Sequence, residues 1–405
     1  MNIIQKILAT AAFVSVAFFV SAQVEDPTVL VDELDPTISE TSGLAFINGR
    51  LWTHNDSDGE PKIYCIDTTT GHVIGAKVIA GVTNEDWEDL AKDKTHLYIG
   101  NFGSTSTNLQ ILRCKIEDLE NPALDTLVPR IINFTYGNSD YPESNFSATN
   151  TRFDCEAMIA KDDTIFLFSK NWIDHKTYLY AIPNKANVSH TITPIDTLQL
   201  DYLVCGADYD YTSNTVALVG YTYDVSGSIP DSKPYITLLR NFEGNRFFSG
   251  TIETKDISAL SIKYNQTEGI VFRDYNRLWV TNEKYTRRLI TIKSKLREFR
   301  ITNPQIVNDP DTEPTFPEEP TTNAQDIAPD GNTSLYPNPA IEFVYISNSE
   351  PYTFDIINTN GIVVFKSYRK STGTTATDIS FLKPGSYIVR VYQENAISEN
   401  RFIKL

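Results

Sequence analysis

The strongest constraint on the fold is one pattern that occurs five times along the chain. In each copy a small or acidic residue opens an apolar run, a polar turn follows, and a second apolar run ends in a polar residue. The copies recur at intervals of roughly 45 to 70 residues and begin at Thr41, Trp87, Cys155, Cys205 and Thr267. One or two further strand-like runs follow each copy. Four short antiparallel strands repeated in this way are typical of a β-propeller, in which sheets pack face to face around an axis.

The chain is predicted to be all-β throughout. Short runs of β-branched and aromatic residues recur, and no window has the i, i+3, i+4, i+7 spacing of a long amphipathic helix. We predict a β-propeller of about five blades over residues 23–301, with six blades as the alternative if the second or fourth repeat contains another sheet. The run TVLVDEL near Val29 is a candidate for the strand that closes the ring, because closure removes exposed sheet edges.

Aligning the five copies places two sets of side chains at one end of the predicted propeller. The first set opens the inner strands and consists of Ser42, Glu88, Glu156, Gly206 and Glu268. The second set ends the following strands and consists of Asn55, Asn101, Lys170, Tyr221 and Asn282. Because antiparallel pairing puts the start of one strand beside the end of the next, both sets are expected at the same mouth of the central channel.

Carboxylates that converge on one axis repel one another and need compensation. They raise their pKa, pair with a cation such as Lys170, or coordinate a hard metal ion. Oxygen ligands favour Ca²⁺ or Mg²⁺ over zinc and copper, so Ca²⁺ is the candidate cofactor. Two alternatives stay open. The glutamates accept hydrogen bonds that join neighbouring blades, or Glu88 or Glu156 serves as a catalytic carboxylate.

Asp56 lies in the acidic turn HNDSDGE, which projects at the same mouth. An EF-hand calcium loop starts with an acid and has a glutamate at its twelfth position, whereas this segment has His54 and Cys65 there. We interpret the segment as an ordinary acidic turn and His54 as a surface polar residue. The residues predicted to contact a ligand are Asn55, Asp56, Asn101, Lys170, Tyr221 and Asn282.

Composition and motif content argue against several function classes. The formal net charge of -17 argues against a nucleic-acid partner, because a phosphate backbone requires lysine and arginine to displace its counterions. The chain has no GxSxG, HExxH, Walker or GxGxxG motif. Its four cysteines lack the paired spacing of a structural zinc site, and they are either disulfide-bonded or free buried thiols.

Residues 1–22 have the pattern of a secretory signal peptide. Lys6 precedes an apolar stretch over 7–20, and Ser21 and Ala22 before Gln23 form a small-residue cleavage site. The apolar stretch is short for a membrane span, and no later window could cross a bilayer as a helix. We therefore expect export and no transmembrane segment in the mature protein.

The C-terminal part divides into a linker and a second domain. Residues 302–333 are rich in proline, threonine and acidic residues and cannot bury a core. After them, SLYPNPAIEFVYIS, DIINTNGIVVF, TDISFLKPGSYIVRVY and RFIKL follow in order over 334–405. The Asn-Gly and Pro-Gly turns between strand-like runs predict a small Ig-like β-sandwich of about seven strands.

This C-terminal spacing resembles the sorting domain of the type IX secretion system. The resemblance implies that the secretion machinery and its sorting peptidase are partners of residues 334–405. It also implies translocation across the outer membrane, cleavage, and attachment to a surface glycolipid. The expected location is the medium or the outer-membrane surface of a Gram-negative bacterium.

The propeller segment carries two further resemblances. LWTHNDSDGEPKIYCID, NEDWEDLA with LYIGNFG, and FDCEAMI with FLFSKN resemble a family of secreted bacterial propeller proteins without a settled activity. SGLAFINGRLW, WEDLAKDKTHLYIG and TEGIVF are similar to segments of the calcium-dependent apyrases, five-bladed propellers with a metal in the central tunnel. That similarity implies calcium ligation by Ser42, Glu88, Glu156 and Glu268. Gly206 offers no side-chain ligand, and the chain has no cluster of basic residues for phosphates.

Two functional hypotheses follow for the exported propeller. The first is a ligand-binding module for a glycan, a peptide or a surface partner, with an acidic channel mouth that holds Ca²⁺. The alternative is a metal-assisted hydrolase of phosphoesters or glycans, in which the ion polarises the substrate and Glu88 or Glu156 activates water.

Overall fold

The computed structural model describes residues 24–405 with gaps at 58, 107, 139–140, 142–146, 225–230, 259–265, 288–289, 303, 305–306, 308–332, 342, 360–362, 368–369, 380–381 and 394–395. The chain divides into two compact units, Met1–Thr312 and Glu313–Leu405. The predicted signal peptide, most of the predicted linker and the predicted Asn360-Gly361 turn lie outside the described residues. No helix in the described part of the chain is long and apolar enough to cross a membrane.

The first unit consists of five sheets of four or five strands and one short two-stranded ribbon. In order across each sheet, the first contains β2 (Thr41–Ile47), β3 (Arg50–Asn55), β4 (Lys62–Ile66), β5 (Val73–Ile79) and β9 (Thr126–Leu127). The second contains β6 (Trp87–Lys92), β7 (His96–Asn101), β8 (Gln110–Lys115), β10 (Arg130–Tyr136) and β14 (Ser189–Ile192). The third contains β11 (Cys155–Lys161), β12 (Thr164–Ser169), β13 (Lys176–Pro183) and β15 (Asp196–Gln199).

The remaining sheets follow the same order. The fourth contains β16 (Leu203–Asp210), β17 (Thr215–Asp224), β18 (Asp231–Arg240) and β19 (Thr251–Asp256). The fifth contains β20 (Thr267–Asp274), β21 (Arg277–Asn282), β24 (Lys295–Arg300) and β1 (Thr28–Val31). The ribbon pairs β22 (Tyr285–Arg287) with β23 (Ile290–Ile292). The helical elements are α1 (Ile116–Glu120) and the 3-10 turns Pro36–Ile38 and Phe247–Ser249.

The first strand of each sheet packs against the first strand of the next sheet. These inner strands are β2, β6, β11, β16 and β20, and the series closes because β20 also packs against β2. All five hairpins that the repeat predicts are present as antiparallel pairs. The inner strands are buried on both faces, as expected for sheets that are covered on each side. The unit therefore has a cyclic arrangement of sheets with apolar clusters between neighbours.

Short turns with positive φ connect several inner hairpins. Asn48 and Gly49 have φ of 48° and 82° between β2 and β3. This backbone matches the twist of a two-residue hairpin and is favoured by Asn-Gly. The candidate closing strand is also in place, because β1 pairs antiparallel with β24 in the fifth sheet.

A β-bulge interrupts every inner strand near its beginning. The register shifts lie between Thr41 and Leu44, Trp87 and Leu90, Cys155 and Ala157, Val204 and Gly206, and Thr267 and Ile270. Bulges are common next to functional sites because they redirect a side chain. In the fourth sheet the residue inside the bulge is Cys205, so the alignment that placed Gly206 there was wrong by one residue.

The second unit is a β-rich domain of six described strands. They are β25 (Ser334–Tyr336), β26 (Phe343–Asn358), β27 (Val363–Lys366), β28 (Ser371–Asp378), β29 (Gly385–Tyr392) and β30 (Ile397–Lys404). The first part of β26 pairs with β25 and β28, and its second part pairs with β27 and β29. This domain has its own apolar core, which includes Tyr352, Phe354 and Phe402.

Candidate functional site

Six carboxylates and one thiol converge at the bulged ends of the inner strands. They form three groups in which one oxygen or sulfur of each residue lies within 4.8 Å of the others. We call them the first trio (Asp56, Asp86, Glu88), the second trio (Glu88, Asp154, Glu156) and the third trio (Glu156, Cys205, Glu268). Because Glu88 and Glu156 each belong to two trios, the groups form one continuous cluster.

The local fold explains how these side chains meet. Glu88, Glu156 and Glu268 lie in the bulges of β6, β11 and β20. Asp56 directly follows β3, and a second-sheet residue holds it there, since the Asn84 side chain donates hydrogen bonds to the carbonyl oxygens of Asn55 (3.0 Å) and Asp56 (2.5 Å). The turn after the first sheet is thereby fixed against the start of the second.

Lys170 supplies the positive charge of the third trio. Its Nζ donates to both carboxylate oxygens of Glu156, at 2.6 and 2.5 Å, and to the hydroxyl of Tyr221 at 3.4 Å. The Tyr221 hydroxyl donates in turn to Glu268 Oε1 at 3.2 Å. The ammonium lies 5.3 Å from the ring centre of Trp172 and 5.4 Å from that of Tyr221. Burial alone would lower the pKa of Lys170, but Cys205, Glu156, Tyr221 and Glu268 raise it well above its usual range.

The loop that contains Gly103 and Thr105 positions two carboxylates of the first trio. Asp86 Oδ2 accepts hydrogen bonds from the backbone N–H and the hydroxyl of Thr105, both at 2.7 Å. A Cβ on Gly103 would lie 2.5 Å from Asp86 Oδ2 and closer still to Glu88 Oε1. Only glycine leaves room for both carboxylates at this position.

Burial and mutual repulsion raise the pKa values of several of these acids. Burial and the charges of Asp86 and Glu268 raise the pKa of Asp56 to about 8. Burial raises the pKa of Asp154 to about 6, against the opposing effects of Lys170 and of the Trp172 N–H that donates to Asp154 Oδ2 at 2.8 Å. The pKa of Glu88 is raised well above its usual range by burial and by neighbouring carboxylates. The cluster therefore carries more negative charge than its resident cation balances.

We expect the free energy of unfolding of the chelator-treated protein to fall as the pH rises from about 4 to about 8. In this window the folded protein keeps protons on Asp56 and Asp154 that the unfolded chain has released. This effect outweighs that of His54, which is neutral in the folded protein but protonated in the unfolded chain below about pH 6.5. Each pKa unit of difference corresponds to about 1.4 kcal/mol, which predicts a loss of a few kcal/mol over the window. Urea denaturation at pH 5, 6, 7 and 8 measures it. A constant or rising stability would contradict the raised pKa values.

Another carboxylate in the same region has a different arrangement. Asp89 is fully buried and accepts backbone N–H groups from three inner strands, those of Leu90 (2.8 Å), Met158 (2.8 Å) and Ala207 (3.2 Å). Ser42 similarly donates its hydroxyl to the carbonyl oxygen of Glu88 at 2.6 Å. Hydrogen bonds between sheets, the alternative considered for the glutamates, are thus made by Asp89 and Ser42.

The side-chain amides of the asparagines at the strand ends form hydrogen bonds mainly with backbone groups. Asn55 donates to Thr37 O at 2.8 Å, and Asn101 accepts the Asp86 N–H at 3.2 Å. Asn282 donates to two carbonyl oxygens and accepts from Arg297. Ligand contacts by these three residues stay a prediction, whereas Asp56, Lys170 and Tyr221 lie in or beside the trios.

His54 was interpreted wrongly as a surface residue. It is fully buried, its Nδ1–H donates to the carbonyl oxygen of Asn55 at 2.9 Å, and its ring lies edge-to-face with Trp87. Burial lowers the pKa of His54 to about 4, so the imidazole is neutral at physiological pH. The four cysteines are buried free thiols, which resolves the alternative left open by their spacing.

Sequence reasoning missed three members of the cluster. Asp86 and Asp154 each precede an aligned glutamate by two residues, in Asp-Trp-Glu and Asp-Cys-Glu. This repeated Asp-x-Glu spacing was a usable signal. Cys205 was missed because the position of the bulge within the fourth sheet is not visible in the alignment.

Comparison with known proteins identifies the second unit. A family described as "Secretion system C-terminal sorting domain" matches residues 334–405. No curated protein has a significant match to the chain.

Solved structures similar to this chain have low identity and low TM-scores. A hypothetical protein from Leishmania major is 10% identical with a TM-score of 0.38, over 68% of this chain and 90% of that one. A protein of unknown function from Bacteroides thetaiotaomicron is 10% identical with a TM-score of 0.36, over 69% and 76%. A member of the DUF4221 family from Bacteroides vulgatus is 9% identical with a TM-score of 0.34, over 94% and 97%. Similarity at this level carries no argument about function.

Sorting domains of this family mark proteins for type IX secretion, and the match covers the whole of the described second unit. The protein is therefore exported by the type IX secretion system to the cell surface or the extracellular space of a Gram-negative bacterium.

Proposed function

We propose that residues 24–301 form a five-bladed β-propeller that acts outside the cell as a ligand-binding module, with a divalent cation, Ca²⁺, in its acidic cluster. The observation that carries the proposal is the convergence of carboxylates from several sheets on one buried cluster whose resident cation, Lys170, is bonded to Glu156. The cyclic order of the five inner strands supports the propeller.

The chemistry of the cluster supports a hard cation. Apart from Cys205, the acidic ligand atoms are carboxylate oxygens, which suit Ca²⁺ and Mg²⁺. A bound ion neutralises part of the repulsion and leaves coordination positions for oxygen atoms of a ligand. Glycan hydroxyls and carboxylates, or carbonyl and carboxylate groups of a peptide, are ligands of this kind.

The hydrolase alternative is less well supported for phosphoesters. A phosphate group brings further negative charge to an acidic cluster. Lys170 is the basic group whose charge acts on Asp56, Glu156 and Glu283, and it is already bonded to Glu156. Glu88 remains the candidate general base for a glycan substrate, since burial and neighbouring carboxylates raise its pKa.

The test is binding of the purified protein to a panel of glycans and peptides, with Ca²⁺ and with a chelator. We expect saturable binding that the chelator abolishes and that Glu88→Gln weakens. Turnover of a bound glycan by the wild-type protein, lost in Glu88→Gln while the glycan still binds, would replace the binding module with the hydrolase. Ligand binding that is unaffected by the chelator would remove the cation from the proposal.

Deletion of residues 334–405 is expected to retain the protein inside the cell envelope. The deletion removes the domain that the secretion machinery recognises and leaves the first unit, which is compact by itself, unchanged in sequence. Cell fractionation and detection at the cell surface measure the result. Shortening the linker within 313–330 with the sorting domain kept is the control and should leave export intact; surface delivery of the deletion variant would contradict the prediction.

A further inference from the structure

The three trios differ in whether a side-chain cation already bonds to their carboxylates. In the third trio, the Lys170 ammonium bonds Glu156 directly and reaches Glu268 through the Tyr221 hydroxyl. A metal ion placed among these residues would face that ammonium at short range. The third trio is therefore compensated without a metal ion.

No described lysine or arginine bonds directly to the first trio, and the Lys170 charge acts on Asp56 only from a distance. Glu88 is only 4% exposed, and burial is the largest cause of its raised pKa. The charges that act most strongly on it are those of Glu156, Asp56, Asp86 and Asp154, all of which are negative. Asp56 Oδ1 is also buried without a hydrogen-bond partner. Leaving such groups buried and unpaired is costly, so this position calls for a cation.

The geometry around the first trio is built to hold an ion. Thr105 fixes one oxygen of Asp86, Asn84 fixes the turn of Asp56, and Gly103 gives the Asp86 and Glu88 carboxylates room to approach. Ca²⁺ accepts irregular sets of six to eight oxygen ligands, whereas Mg²⁺ requires near-ideal octahedral geometry and usually binds through only one or two carboxylates. The three carboxylates of the first trio therefore favour Ca²⁺ over Mg²⁺.

We propose that Asp56, Asp86 and Glu88 bind one divalent cation, Ca²⁺ in preference to Mg²⁺, and that Lys170 takes the place of a metal ion in the third trio. The inference rests on the proposed function and changes the site predicted from the sequence. The ion moves away from Ser42 and Glu268 to the junction between the first and second sheets.

Calorimetric titration of Ca²⁺ and Mg²⁺ into the full, chelator-treated chain tests the assignment. The variants are Asp56→Asn and Glu88→Gln in the first trio, with Glu268→Gln in the third trio as the matched comparison. We expect one Ca²⁺ site in the wild type, about tenfold or more weaker in the two first-trio variants and retained in Glu268→Gln. Gly103→Ala, whose Cβ would displace Glu88, should weaken the site in the same way.

A melting curve without metal separates lost binding from lost folding. Asp56→Asn and Glu88→Gln remove like charges from an uncompensated cluster, so their metal-free melting temperatures should equal or exceed that of the wild type. Ca²⁺ should raise the melting temperature of the wild type and of Glu268→Gln, but not of these two variants.

Three results would contradict the inference, and each contradicts a different part of it. Ca²⁺ binding that Glu268→Gln abolishes and Asp56→Asn keeps would overturn the first-trio site while preserving a cation in the cluster. Tighter binding of Mg²⁺ than of Ca²⁺ would overturn the ion assignment. Absence of any binding in the wild type would overturn both this inference and the cation of the proposed function.

Discussion

Asp89→Ala is expected to destabilise the first unit by about 3 kcal/mol or more, since each buried N–H left without an acceptor costs about 1–3 kcal/mol. The fully buried carboxylate accepts the N–H groups of Leu90, Met158 and Ala207, which belong to the inner strands of three different sheets. Its removal leaves three buried donors without an acceptor at the centre of the ring. Chemical denaturation followed by tryptophan fluorescence measures the loss.

Asp89→Asn provides a graded comparison. An amide oxygen can still accept from Met158 and Ala207, but the amide N–H₂ then faces the Leu90 N–H, so this variant should lie between the wild type and Asp89→Ala. The control is Asp163→Ala, an exposed residue of the β11–β12 turn, which should change stability by less than about 0.5 kcal/mol. Equal stability of Asp89→Ala and the control would show that Asp89 does not join the three strands.

Lys170→Met is expected to destabilise the metal-free protein by about 3–5 kcal/mol at pH 8, because it leaves the buried Glu156 charge uncompensated. Methionine preserves most of the side-chain volume and its contacts with the rings of Trp172 and Tyr221. The loss should be smaller at pH 5 than at pH 8, because burial raises the pKa of Glu156 and protonation removes the charge that Lys170 compensates. Denaturation at both pH values measures the difference.

Lys176→Met is the matched control for Lys170. Lys176 lies 3.3 Å from Asp174 Oδ2 in an exposed ion pair, and pairs of this kind contribute roughly 0–1 kcal/mol. Added Ca²⁺ should stabilise Lys170→Met by more than it stabilises the control, because the third trio has lost its ammonium only in Lys170→Met. A pH-independent effect of Lys170→Met would mean that Glu156 does not depend on Lys170 for its charge.

The elements of this protein that sequence patterns predict are those set by local chemistry. The alternation of apolar and polar residues around turns such as Asn48-Gly49 predicts each inner hairpin, because turn geometry and side-chain alternation act over a few residues. The C-terminal domain was predicted for a similar reason, since its motifs fall in order over 334–405.

The composition of the site depends on interactions that a linear pattern does not contain. The alignment found Glu88, Glu156 and Glu268, but a shift of one residue in the fourth bulge exchanged Cys205 for Gly206. Asp56 joins Asp86 only because Asn84 holds the turn of the neighbouring sheet. Lys170 was named as a cation that could pair with the converging carboxylates, but only the distances show that its partner is Glu156.

The recurring bulge gives this architecture a route for evolutionary change. Four of the five sheets present one side chain to the cluster from a kink whose backbone is set by strand pairing, so exchange of that side chain leaves the hairpin intact. Serine, glutamate and cysteine already occupy equivalent positions in different sheets. A descendant could thus alter the charge, and with it the preferred ligand, in single-residue steps while keeping the same scaffold.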